Sequence, residues 1–178
     1  MRTFKKLLAL LIVFSAVQAM AQTDKETTSK LVAAKHLIFN ATAAIPMPNP
    51  DLNRVLSILP NGKSSLIQLN GSQYQLIINK DSVEAFLPYY GKAYTTMGND
   101  DGIKFKSKNF DYNASPNKKG RWVIDIKPKD AKDVRSMTLR ISPDGYATLH
   151  VNNTNRQSIS YNGVISEPVV IAENKKKH

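Results

Sequence analysis

The chain contains no cysteine. Small domains in oxidising compartments often depend on disulfides, so this one has to rely on its apolar core, and thiol chemistry is excluded. Histidine is nearly as scarce, with only His36, His150 and the terminal His178. Zinc would then need carboxylates gathered from distant parts of the chain, and no metal site is expected. No Gly-x-Ser-x-Gly elbow occurs, and nothing in the spacing of the 14 acidic residues pairs two of them for acid–base work. The expectation is a protein without catalytic residues and without a cofactor. "NDDG" (Asn99–Gly102) puts oxygens side by side but lacks the ligand spacing of a calcium loop; turn chemistry accounts for it.

Long apolar runs are also few. The one that stands out, Leu7–Val17, follows Arg2, Lys5 and Lys6 and precedes "AMAQ", with Ala19 and Ala21 at the small positions a signal peptidase accepts. It falls short of the roughly 20 residues needed to cross a bilayer. Residues 1–21 therefore read as a signal peptide cut between Ala21 and Gln22, and the product as exported, periplasmic or extracellular. No cysteine follows for lipid attachment. The 157 residues from Gln22 to His178 fit one domain. Its expected parts are a polar segment or short helix at 22–34, a β-domain at 35–166 and a basic tail at 167–178.

The formal charge is +11; Arg2, Lys5 and Lys6 lie in the leader, leaving +8 for the remainder. Outside the cytoplasm nucleic acid is not an expected partner. A basic surface there suits anionic headgroups or acidic glycans, and the tail Lys175–Lys177 offers contact with a membrane surface. A monomer is expected.

What is abundant is two-residue alternation. "DKETTSKLVAAK" predicts helical turns from Asp24 to Ala34, with acids in the first turn. "HLIFNATA" then places Leu37, Phe39 and Ala41 on one side of a strand. The prolines of residues 46–50 forbid a regular strand there, leaving a short helix from Asn49 to Ser57 or a crossing loop. "SSLIQL" and "YQLIIN" flank Asn70-Gly71, a hairpin signal. Further faces are Val83/Ala85/Leu87, Ile103/Phe105 against Lys104/Lys106/Lys108, Trp122/Ile124/Ile126, Met137/Leu139/Ile141 and Ala147/Leu149/Val151. "FDY" continues the extended run of "IKFKSK", Pro143-Asp144-Gly145 makes a turn, and a second Asn-Gly turn is expected at Asn162-Gly163. The result is an all-β meander of about nine antiparallel strands, forming a curved sheet, sandwich or barrel.

"AFLPYYGKAY" (Ala85–Tyr94) concentrates aromatic rings around Pro88 and Gly91. Pro88 cannot donate to a ladder and Gly91 tolerates a positive φ, so a corner is expected. Such a corner can pack the joint of the sheet, frame a pocket mouth, or do both. "DSVEAFLPYYGKAY", "GIKFKSKNFDY", "DGYATLHV" and "NRQSISYNGVI" together resemble the bacterial domain-of-unknown-function family 4251, over roughly Lys35–Ile165. The resemblance implies a single exported β-domain in the envelope of Gram-negative gut-type bacteria, with no activity, cofactor or catalytic residue to carry over.

Two functions are then expected in turn. One is a binding domain for an apolar or glycan ligand in a concave face, lined by Tyr89, Tyr90, Tyr94 and Trp122 with Lys104 and Lys106 near the rim. The other is an envelope structural or protein-interaction module with a solid core. A large internal cavity would favour the first, and a filled core with exposed aromatics the second. Asp81-Ser82-Val83 also matches a short O-glycosylation signal, which would place a glycan on Ser82.

Overall fold

Alternation of apolar and polar residues builds one antiparallel sheet that curls on itself. The computed structural model describes residues 24–47, 66–69, 73–94, 102–117 and 119–168. The order of elements is α1 (Lys25–Ala34), β1 (Leu37–Pro46), β2 (Ile67–Gln68), β3 (Gln75–Ile78), β4 (Val83–Leu87), β5 (Ile103–Ser107), β6 (Phe110–Pro116), β7 (Trp122–Pro128), β8 (Val134–Ile141), β9 (Tyr146–Asn153) and β10 (Ile159–Ser166). Across the sheet the strands run β5-β4-β3-β1-β10-β9-β8-β7-β6, with β2 also on β1. The two edge strands, β5 and β6, are joined by just Lys108 and Asn109, so the sheet nearly closes into a barrel. The Asn109 carbonyl holds the seam by accepting from the Ser107 hydroxyl at 3.0 Å and the Lys129 amide at 2.8 Å.

The inward faces assigned from the alternation include Leu37, Phe39, Val83, Ile124, Ile126, Leu139, Leu149 and Val151, all fully buried; Leu76, Ile78, Ile159 and Tyr161 are fully buried as well. Each large apolar side chain removed from water in this way stabilises by roughly 1.5–3 kcal/mol. The interior is occupied by these side chains rather than by a lumen.

The helix begins where expected. The Asp24 side chain accepts from the Thr27 amide at 2.7 Å, and this bond to a charged acceptor holds its carboxyl below the usual carboxylate range. Lys35, in the left-handed conformation at φ 49°, ends the helix with its own amide on the Val32 carbonyl and that of His36 on Leu31. Leu31 and Val32 join the core, and Tyr112 of β6 donates to the Val32 carbonyl at 3.3 Å. Thr28 ties α1 to the β8–β9 turn through the Pro143 carbonyl at 3.1 Å.

Three sequence expectations are corrected. β2 and β3 do not form a hairpin about Asn70-Gly71: both pair with β1, β2 at Ala43–Ala44 and β3 at Leu37–Asn40. The Leu69 amide on Thr42 and the Ala41 amide on Tyr74 continue the ladder at the two sides of the break, so β2 and β3 follow one another along the same edge of β1. "IKFKSK" and "FDY" are not one run, because the chain turns at Lys108–Asn109 and sends them to opposite edges of the sheet. Asn162-Gly163 is no turn but the middle of β10. A Cβ on Gly163 would stand 2.0 Å from the Asn40 carbonyl oxygen, beside the register shift of β1 between Ala41 and Ala43. Glycine serves there for close backbone approach. The helix expected at Asn49–Ser57, the leader and the Lys175–Lys177 tail lie outside the described residues. Among the described residues, no helix is long and apolar enough to cross a membrane.

Candidate ligand groove

The aromatic corner packs against the β9–β10 turn. Past Leu87 the chain crosses to residues 155–157, with the Tyr94 amide on the Asn155 carbonyl at 2.9 Å and the Gln157 amide on the Lys92 carbonyl at 3.0 Å. Tyr89 turns its hydroxyl toward the Gln157 carbonyl at 2.9 Å, beneath the Arg156 guanidinium, 5.0 Å from the ring centre. Arg156 is itself buried and donates to the Gly102 carbonyl at 3.1 Å, with the Asp133 carboxylate 3.9 Å away. Burial pushes the Tyr89 phenol up to about 12, against the pull of Arg156. Gly91 does not take the positive φ allowed for it; instead a Cβ there would stand 2.3 Å from the Tyr89 hydroxyl.

The residues expected to line one pocket are dispersed. Tyr89 belongs to this packed joint, whereas Tyr90 and Tyr94 are exposed. Trp122 lies at the opposite end of the barrel: its partner Ile141 adjoins the β8–β9 turn, and the tyrosines sit on the β9–β10 turn. Lys104 and Lys106 stand on the outside of β5, Lys104 5.1 Å from the centre of the Phe86 ring and Lys106 paired with Glu84 at 2.6 Å. Phe86 stacks on Tyr74 with ring centres 5.7 Å apart. Ser82 ends the β3–β4 turn, its carbonyl accepting from Asn79, and is not on a strand face.

A concavity does exist, on the outer wall near the β8–β9 turn. It holds about 570 Å³ and is lined by Arg121, Arg140, Ser142, Tyr146, Thr148 and Asn162 together with Ile141, Ala147 and Gly163. The register explains the convergence. Arg140 lies opposite Thr148, and Thr148 opposite Asn162, so three strands supply one outward row. The pairing of Trp122 with Ile141, carried one residue further, sets Arg121 beside Ser142, and Tyr146 begins β9 across the turn. Thr148 donates to Asn162 Oδ1 at 3.1 Å, and Thr42 to the Asn162 carbonyl at 3.2 Å. Tyr146 is 59% exposed.

The next outward row contains Asp125, Thr138, His150 and Ser160. Thr138 donates to Asp125 at 2.7 Å, and His150 Nδ1 lies 3.0 Å from the Ser160 hydroxyl. A serine–histidine pair alone is not a hydrolytic site. β9 and β10 are paired on both sides, so their backbone amides are engaged in ladder bonds. Among the described residues, no group of three or more histidines and carboxylates is placed to hold a metal ion.

Residues 19–165 match the family described as domain of unknown function (DUF4251). The chain belongs to the DUF4251 family. A crystal structure of a DUF4251 family protein from Bacteroides eggerthii DSM 20697 superposes on this domain with a TM-score of 0.55 at 13% sequence identity. The match covers 84% of this chain and 91% of that one, and at such low identity it speaks for the fold alone. No curated protein matches this DUF4251 chain.

Sequence reasoning missed the groove. Alternation leaves Arg140 opposite the Met137/Leu139/Ile141 face and Tyr146, Thr148 and His150 opposite Ala147/Leu149/Val151. What joins them is the cross-strand register, which no single strand reveals.

Proposed function

We propose that this DUF4251 domain is an exported, non-enzymatic binding domain of the cell envelope that holds a glycan on the outer wall of its barrel. The observation that carries the reading is the groove of about 570 Å³ beside the β8–β9 turn, a volume within the usual range of ligand sites. Several of its side chains are ones that a glycan can use. Hydroxyl, amide and guanidinium groups supply hydrogen bonds, and the Tyr146 ring gives a sugar face something to stack on. The filled interior argues against a ligand inside the barrel. Export is supported by the leader pattern before Gln22, and a non-enzymatic role by a His150–Ser160 pair whose neighbouring backbone amides are already engaged in ladder bonds.

A second reading, a protein-interaction module, has its own support in the exposed Phe86, Tyr90 and Tyr94 on the other side of the barrel. Hydrogen exchange of the exported protein against a panel of neutral and acidic oligosaccharides separates the two. Slowed exchange in β8–β10 beside the groove is the expected outcome. Exchange unchanged by every saccharide, with a protein partner protecting residues 86–94, would replace the glycan reading with the second.

A further inference from the structure

We infer that the groove selects saccharides carrying an anionic group, held between Arg121 and Arg140. The inference rests on the glycan reading above and adds the charge of the ligand. Its basis is an imbalance of donors over acceptors. Neither guanidinium has a carboxylate partner among the described residues, and Asp144 at the tip of the neighbouring turn pairs with neither. Thr148 spends its proton on Asn162 Oδ1, which fixes the amide with its NH2 group still to be used. The Ser142 hydroxyl is buried and finds no partner in the protein.

Geometry brings these donors to one ligand. Arg121 falls beside Ser142, and Arg140 lies two residues earlier on the same strand and the same face. Such diagonal neighbours stand about 7–8 Å apart at their Cα atoms, within the span of two guanidinium side chains closing on one carboxylate or sulfate. Arginine has no acceptor atom and offers a planar fork matched to both anions. Tyr146, next to Ser142 across the turn, is placed to stack on the sugar ring that bears the charge. Lys25 adds to the positive potential of this end, its Cε 3.5 Å from where a Cβ on Gly120 would stand. The rim of β5 is a poorer candidate, because Lys106 already has Glu84.

The test is calorimetric titration of the exported protein with tetragalacturonate, its fully methyl-esterified neutral counterpart, and a sulfated galactan tetrasaccharide. The acid and the sulfate distinguish which anion the groove takes. One or both should bind at least tenfold more tightly than the methyl ester, with affinity falling as salt rises. Arg121→Gln and Arg140→Gln should each weaken anion binding roughly tenfold, as expected for a lost hydrogen bond to a charged group, with urea midpoints unchanged. Arg140→Lys, which keeps the charge and loses the fork, should fall between wild type and Arg140→Gln. Equal binding of the methyl ester and the acid, insensitive to both arginines, would overturn the inference and leave the glycan reading standing. If none of the three saccharides bound, and none slowed exchange around the groove, the inference and the glycan reading would fall together.

Discussion

The hydroxyl of Tyr161, at the centre of β10, donates to the carbonyl of Pro88. Tyr161 is fully buried, and Pro88, whose carbonyl accepts its hydrogen bond, opens the aromatic corner. One hydrogen bond thus joins the barrel core to the segment that crosses onto the β9–β10 turn. Tyr161→Phe preserves the ring but leaves the Pro88 carbonyl without this donor. A loss of about 1–3 kcal/mol is expected, read as a lower urea midpoint with an unchanged slope.

Gly163 tests the account of β10. The groups that a Cβ would meet are the Asn40 carbonyl oxygen at 2.0 Å and the Phe39 ring at 2.8 Å, one of them backbone. Gly163→Ala should therefore force β1 and β10 apart and destabilise by about 3 kcal/mol. If Asn162-Gly163 were a turn, alanine would be tolerated much better, and an unchanged midpoint would remove the close-approach argument.

Gly91 separates two reasons for a glycine. Its neighbour is the tip of the Tyr89 side chain rather than backbone. Gly91→Ala should dislodge Tyr89 from Gln157 and Arg156 at a cost of about 1–2 kcal/mol. In a Tyr89→Ala background the same change should cost almost nothing. A full cost in both backgrounds would show that the backbone at Gly91, and not the ring, requires glycine.

The buried phenols set an alkaline limit. Burial raises Tyr89 and Tyr112 to about 12 and Tyr161 further still, whereas an unfolded tyrosine ionises near 10. The folded state therefore holds these protons more tightly. Their contribution is complete below pH about 10 and is lost as the pH rises through about 12. Urea midpoints should be level from pH 8 to about 9.5 and fall progressively above 10. Absorbance titration of the seven tyrosines should show a late-ionising group that disappears in urea.

How much of this was legible in the sequence follows from which interactions are local. Alternation placed Val83, Ala85 and Leu87, or Met137, Leu139 and Ile141, on the core side, because successive side chains of a strand point to opposite faces. Asp24 announced the start of α1 for a similarly local reason, as its side chain reaches the amide three residues on. The Asn-Gly pairs misled because turn propensity is weak beside the ladder bonds that a β-bulge or an interrupted edge can still complete.

The sequence by itself determined that this is an all-β chain with one apolar face per strand and no thiol chemistry, since these depend on residue type and on neighbours two positions apart. Only the tertiary structure decided that β5 and β6 become the two edges of a nearly closed barrel, and that Trp122 and the corner tyrosines lie at opposite ends. It also decided that Arg121, Arg140, Tyr146, Thr148 and Asn162 share one groove. These facts depend on strand order and register, and register is fixed by packing between segments far apart in the chain, a distance over which local periodicity carries no information.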